Sequence, residues 1–313
     1  MDFDDIKDNI PIQSPVQPEQ LSLDSEFQFD CHPGVSCFNA CCKQSEIQIT
    51  PYDIIRLKKH FDMASDEFVA RYTIPFEMDQ HGMPGLRLAT QGKSTACVFL
   101  GDEGCIVYED RPMACRYYAL GNMALRKINE TRVKDIYFVV KEAHCKGHEE
   151  PVKQTVREYL DNQGVNDYTG NNREWMDIVI KKRTSGPTVG APSTRSLQLF
   201  DMCSYDIDGF RKFIETSGFT NLFDVPESEM EEILSSDEKL LGFAMRFLKQ
   251  VLFGEISIEM KPGAREKRIA ERKDSWKKRR EMEIRQRREE QENIKAEAAR
   301  QFSASKTGGA EKA

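Results

Sequence analysis

Apolar residues recur at helical spacing chiefly in the second half of the chain. Ile207, Phe210, Phe213 and Ile214 fall at i, i+3, i+6 and i+7, and Leu240, Leu241, Ala244, Phe247, Leu248 and Val251 repeat the stripe. Both segments are therefore expected to be amphipathic helices of a small helical module over residues 197–260. Earlier, Thr50-Pro51-Tyr52-Asp53 offers an N-cap, a proline at the first helical position and a carboxylate at N3, predicting a helix that runs to about Phe61. A short helix is expected over Ser65–Arg71, and strands near Leu86–Leu88, near Cys97–Leu100 and, most strongly, over Ile136–Val140. Pro151 is expected to open a helix to about Asn162, with another over Arg173–Lys182.

Polar stretches divide these elements. Residues 1–26, rich in Asp, Gln, Pro and Ser, read as a flexible leader, and residues 184–196, rich in Gly, Pro, Ser and Thr, as a linker. Between them lie a loop-rich domain over residues 27–150 and connecting helices over 151–183. Residues 261–313 read as a basic charged helix or tail, whose apolar positions Ile269, Trp276, Ile284 and Ile294 are too sparse for a heptad seam. The expected fold class is α+β: a small loop-rich cysteine-cluster domain with short strands, a helical C-terminal region and a long charged C-terminal helix.

Composition narrows the class. Hydrophobic residues make up 39% and charged residues 31% of the 313, a polar but foldable balance. The longest apolar run, Ile136 to Val140, falls far short of the ~18 residues that a spanning helix requires. The acidic start, Met1-Asp2-Phe3-Asp4-Asp5, lacks a secretory pattern, so a cytoplasmic location is expected. There, nine cysteines would be held reduced, which favours metal ligation or redox chemistry over disulfides. The net charge of -7 conceals a division: residues 261–313 carry 17 basic against 10 acidic residues, the rest 28 against 42. The tail could contact nucleic acid or ribosome, but a solvated charged helix is the plainer reading, and a protein or redox partner is expected instead.

Eight of the nine cysteines lie between positions 31 and 145: Cys31, Cys37, Cys41, Cys42, Cys97, Cys105, Cys115 and Cys145. Their spacing, C-x5-C-x3-C-C and then C-x7-C-x9-C-x29-C, divides in sequence into two tetrads. Buried structural thiols occur singly, whereas four within twelve residues of Gly-, Pro- and Asn-bearing sequence are hard to treat as core filler. Thiolates are soft donors that favour zinc or an iron–sulfur cluster over magnesium or calcium. Arg111 and Arg116, with Lys43, are placed to give positive charge and N–H donors to cluster sulfurs, and are the candidate cofactor-binding residues. His32, His144 and His148 could enter a coordination sphere or be solvated loop residues. Glu109 and Asp110 read as solvated carboxylates and Cys203 as a buried thiol outside the cluster. No catalytic residue is identified.

The ordered motifs carry a resemblance. Phe29-Asp30-Cys31 through Cys41-Cys42, the proline-capped Thr50-Pro51-Tyr52-Asp53, Cys97-Val98-Phe99-Leu100, and Tyr108-Glu109-Asp110-Arg111-Pro112-Met113-Ala114-Cys115-Arg116 together resemble the YkgJ-type cysteine-cluster proteins. That family is described as a zinc- or iron-chelating domain. The likeness covers about residues 27–150, and this chain has first spacings of five and three where the family commonly has two and two. The resemblance implies metal binding. Relatives labelled iron–sulfur oxidoreductase, and a related cysteine cluster in flagellin lysine methylase, frame three expectations. The first is an iron–sulfur (or zinc) protein of oxidoreductase type acting with a partner. The second is a zinc-stapled adaptor without catalysis. The third is a protein-modifying transferase, for which no glycine-rich cofactor loop follows a strand.

Overall fold

A computed structural model of the chain describes residues 15–17, 19–44, 46–79, 82–125, 134–184 and 192–267, with parts of 269–292. It forms two compact units, Met1–Phe219 with Val225–Ile258, and Thr220–Asp224 with Glu259–Ala313.

The first unit is α+β. Its strands are short and pair antiparallel: β1 (Glu26–Gln28), β2 (Gln48–Ile49), β3 (Thr73–Glu77), β4 (Pro84–Leu88), β5 (Leu100–Gly101), β6 (Gly104–Cys105), β7 (Leu120–Leu125), β8 (Lys134–Val139) and β9 (Lys153–Thr155). β1 pairs with β9, β5 with β6 and β7 with β8, while β2, β4 and β3 make a three-stranded sheet. In that sheet Leu86 stands opposite Ile49 on one side and Pro75 on the other. The helices are α1 (Ala40–Lys43), α2 (Pro51–His60), α3 (Ser65–Tyr72), α4 (Met113–Tyr117), α5 (Val156–Asn162), α6 (Val165–Thr184), α7 (Thr194–Tyr205), α8 (Ile207–Thr216), α9 (Glu227–Leu234) and α10 (Asp237–Phe253).

The capping signal at Thr50 is realised in full: its hydroxyl accepts from the Asp53 N–H while the Asp53 carboxylate reaches back to the Thr50 N–H. The stripes of the second half become α8 and α10, with Phe210, Phe213, Phe219, Phe243 and Phe247 in mutual ring contact. A second aromatic group, Phe61, Phe68, Tyr72 and Phe99, packs α2 and α3 against the chain that leads into β5. α10 packs on α6 and α7, and α2 on α6 and α10, so the helical region shares one core with the cysteine-bearing segment. Lys58 of α2 ties the two parts, its Nζ lying 2.9 Å from Asp208 and 2.8 Å from Asp237, with Arg211 bridging to Asp237 at 2.7 Å.

Four expectations shift. The strand expected near Cys97–Leu100 keeps only Leu100, at the start of β5, with Cys97 in an isolated bridge to Thr90. The helix expected from Pro151 begins at Val156, because residues 153–155 pair with β1 as β9 and because Thr155 with Glu158 forms the capping box that starts α5. The helix expected from Arg173 begins at Val165, just after Gly164, whose φ of +63° suits glycine. The leader expected over 1–26 is held at its described end: Val16 bridges to Val140 and Leu21 to Tyr137, burying Leu21. Residues 1–14 of that leader, and 185–191 of the expected linker, lie outside the described residues.

In the second unit, the Asp224 N–H donates to the Glu259 carbonyl (2.8 Å) and the Lys261 N–H to that of Leu222 (2.9 Å). From Ala264 to Glu292 the described residues are helical and largely exposed, as the charge pattern predicts. Trp276 and Ile294 of the expected tail lie outside the described residues.

Candidate metal centre

The loops that carry the cysteines are anchored on α2. Asp53 is fully buried; its Oδ2 accepts from the Thr50 N–H and hydroxyl (both 2.7 Å) and its Oδ1 from the Met113 N–H (2.8 Å). One carboxylate thus caps α2 and fixes the first residue of α4, the helix that presents Cys115. Burial pushes the Asp53 carboxyl up to about 6, although these donors favour its charged form. One turn apart on α2, Arg56 Nε and His60 Nδ1 meet Asp110 at 3.0 and 2.9 Å. Asp110 is therefore no solvated carboxylate; burial alone would raise its pKa, but His60 and Arg56 hold it below the usual range. Arg56 and His60, at i and i+4 on one helix face, are the sequence signal for this shared partner.

Six of the candidate ligands, Cys31, Cys41, Cys42, Cys97, Cys105 and Cys115, line one cavity of about 390 Å³. Backbone pairing brings the segments together: the Cys97 N–H donates to the Cys42 carbonyl at 2.7 Å, and β5 and β6 turn the chain so that Cys105 faces Leu100. Cys41 and Cys42 sulfurs are 4.0 Å apart. Hydrogen bonding from Cys42 lowers the Cys41 thiol to about 7, and the same contact raises Cys42. Burial raises Cys97, Cys105 and Cys115, each further raised by the charge of neighbouring thiols.

Cys37 and Cys145 do not line this cavity. The Lys146 N–H donates to Cys37 Sγ at 3.0 Å, joining the two by backbone and sulfur. Cys31 is pushed up to about 11, by burial first and then by the charges of Cys41, Cys37 and Cys145. Cys31, which lines the cavity with Cys41, Cys42, Cys97, Cys105 and Cys115, is thus also near Cys37 and Cys145, and the eight thiols do not separate into the two tetrads read along the chain. Gly147 permits this, since a Cβ there would stand 2.5 Å from the Asp30 carbonyl oxygen.

The two arginines separate. Arg111 lines the cavity, its charge favouring the Cys105 thiolate. Arg116 is buried and stands off the cavity wall: its Nε bonds the Arg111 carbonyl (2.9 Å), its Nη1 that of Gln163 (2.7 Å), its Nη2 that of Glu109, and its guanidinium covers the Tyr168 ring at 4.3 Å. Its place in the structure is that of a clasp between the α4 loop and α6. His32 is exposed and accepts from the Gly34 N–H at 3.1 Å, His144 lies 3.7 Å from Glu142, and His148 is buried with its two ring nitrogens against the Val140 and Gln28 carbonyls. Cys203 is fully buried and its thiol is pushed far up by that burial. Gln154, Tyr159, Asn162 and Gln163, which line the same cavity from β9 and α5, were not legible as site residues because their apolar spacing reads only as a helix.

All nine cysteines are unbridged. Among the described residues, no three His, Cys, Asp or Glu side chains stand close enough together to hold a single ion as they are. The donor set nevertheless fits a thiophilic centre in kind: soft, charge-repelling thiols lining one cavity, from the exposed Cys31 to the buried Cys97, a guanidinium beside them, and a volume more than ten times the ~30 Å³ share of a water molecule. Neither the curated proteins nor the solved structures give a significant match. Residues 30–146, which contain all eight clustered cysteines, match the CxxCxxCC family, described as "Putative zinc- or iron-chelating domain", and over that segment the chain is of the cysteine-cluster kind that its motifs resemble.

Proposed function

We propose that this chain holds an iron–sulfur cluster, with zinc as the competing occupant, and serves as a cytoplasmic redox protein acting with a partner. The observation that carries the reading is the convergence of six thiols from separate loops on one cavity. Cys31, Cys41, Cys42, Cys97, Cys105 and Cys115 would supply the ligands from the cavity wall, with Cys37 and Cys145, joined through the Lys146 N–H, beside them. A bound centre of this kind supplies one-electron chemistry. The protein's part is to bring the sulfurs together, to shield them with Phe29, Phe38 and Phe99, and to place the Arg111 charge beside Cys105. Zinc is a fit to the same donors, and would make the centre a structural staple instead.

Protein purified without oxygen should be brown and contain iron and acid-labile sulfide. Colourless protein with stoichiometric zinc after that preparation would replace the redox reading with the staple. Serine substitution at Cys37, Cys41, Cys97, Cys105 or Cys115 should lower the metal content at least several-fold, whereas Cys203→Ser should leave it unchanged; equal retention in all six variants removes the ligand assignment.

A further inference from the structure

The cavity has a wall that the thiols do not explain. Val152, Gln154, Tyr159, Asn162 and Gln163 close it from residues beyond 146, outside the segment shared with the chelating family. Facing them is Arg111, whose guanidinium stacks on the Tyr108 ring at 4.1 Å and donates to the Tyr108 carbonyl and to Gln163 Oε1, both at 2.6 Å. Both partners are neutral, so the charge has no carboxylate beside it among the described residues, and the remainder of its five N–H groups stays available. Asp30, the one carboxylate on the cavity wall among the described residues, is turned to the thiol side, where its Oδ1 accepts from the Cys31 N–H at 2.8 Å. Asn162 lines the cavity, is exposed, and its side chain has no hydrogen-bond partner among the described residues. Tyr108 and Val152, which line the same cavity, are 47% and 40% exposed, leaving apolar surface where a closed core would have none.

We propose that this wall binds a small organic acid: Arg111 pairs with the carboxylate, Asn162 adds a hydrogen bond, and Tyr108, Val152 and Tyr159 cover an apolar body. A guanidinium presents parallel N–H donors that match a carboxylate, and a mostly apolar recess with few polar groups is the usual form of a small-molecule site. A monoanion suits a wall with one cation that already has the Cys105 thiol beside it, where a dianion would meet more repulsion. The inference rests on the metal-centre reading in one respect: a centre at the thiols would occupy the Cys105 side of Arg111 and leave the side turned to Gln163 for the ligand.

The test is calorimetric titration of the full-length, oxygen-free protein with hexanoate and with hexanamide, with metal and sulfide assayed on the same samples and binding expressed per chain beside the metal content. Hexanoate should bind about tenfold tighter than the amide or better, because a charge-assisted hydrogen bond carries the preference. Arg111→Gln should abolish that preference, Arg111→Lys should restore part of it, and Asn162→Leu should weaken hexanoate several-fold. Asn162 is exposed, so this variant keeps the test open if Arg111→Gln fails to fold. Equal binding of the two probes, no binding of hexanoate, or an unchanged preference in Arg111→Gln overturns the proposal. A wild-type chain without metal that still prefers hexanoate sinks the centre and not the acid site.

Discussion

At the scale of single residues, the site depends on groups that never touch its sulfurs. Asp53 satisfies three donors from two elements, and two of them, the Thr50 and Met113 N–H groups, have no substitute once the carboxylate is gone. Asp53→Ala is expected to cost about 2–4 kcal/mol, since buried donors left unpaired cost about 1–3 kcal/mol each. Urea denaturation measures it, and metal content should fall with it because α4 loses its anchor; Asp53→Asn, which keeps an acceptor, should cost less than half as much. Asp53 was legible as a helix cap and not as the anchor of Met113, because capping is local in sequence while the second bond spans 60 residues. Asp110 was misread for the same reason, its partners Arg56 and His60 lying 54 and 50 positions away. Arg116 was legible as important, yet its direction was not: the motif says nothing of Tyr168 or of the Gln163 carbonyl.

Among elements, local capping proves a better guide than proline alone. α5 starts at the Thr155–Glu158 box four residues past Pro151, and Thr155→Ala should destabilise the protein by about 1 kcal/mol, read from thermal or urea melts. The clasp between α2, α8 and α10 has a definite pH signature. Burial alone would raise the Asp208 carboxyl, but the Lys58 ammonium and Ser65 hold it below the ordinary carboxylate range. Burial would likewise lower Lys58, but Asp237 and Asp208 raise it. A carboxylate with a depressed folded pKa contributes its stability above the unfolded value of about 4, and loses it as pH falls through the folded value. A lysine with a raised folded pKa contributes fully below about 10.4 and loses that contribution as pH rises through the folded value. Stability at pH 7 should therefore exceed that at both pH 3 and pH 11, and Lys58→Met should flatten the difference. Lys58→Ala should cost about 2 kcal/mol at pH 7, below the usual figure for buried pairs because both carboxylates are about a quarter exposed. The helices of the second half were legible from their stripes, but their seat against α2 was not, since a stripe names the face that is buried and not what covers it.

For the whole molecule, the charged C-terminal stretch and the first unit are separable in their expected effects. Ending the chain at Lys261 should leave the melting temperature and metal content of the first unit within error, while retention on a polyanion resin should drop, because 16 of the chain's 45 basic residues lie beyond position 261. A fall in metal content on that deletion would show that the tail supports the site. The α+β class and the gathering of cysteines were legible in composition and spacing, whereas the approach of the Cys145 segment to the first cysteines was not, because the Lys146 N–H reaches Cys37 Sγ across 109 positions, beside the close packing of Gly147 on the Asp30 backbone.

That β9 and α5 close the sulfur-lined recess bears on durability. A fragment ending near residue 146 would keep all eight clustered cysteines and lose the lid formed by Val152, Tyr159 and their neighbours. Its thiols would then meet dissolved oxygen and competing chelators directly, so such a fragment should bleach or shed its metal within an exposure to air that the intact chain withstands.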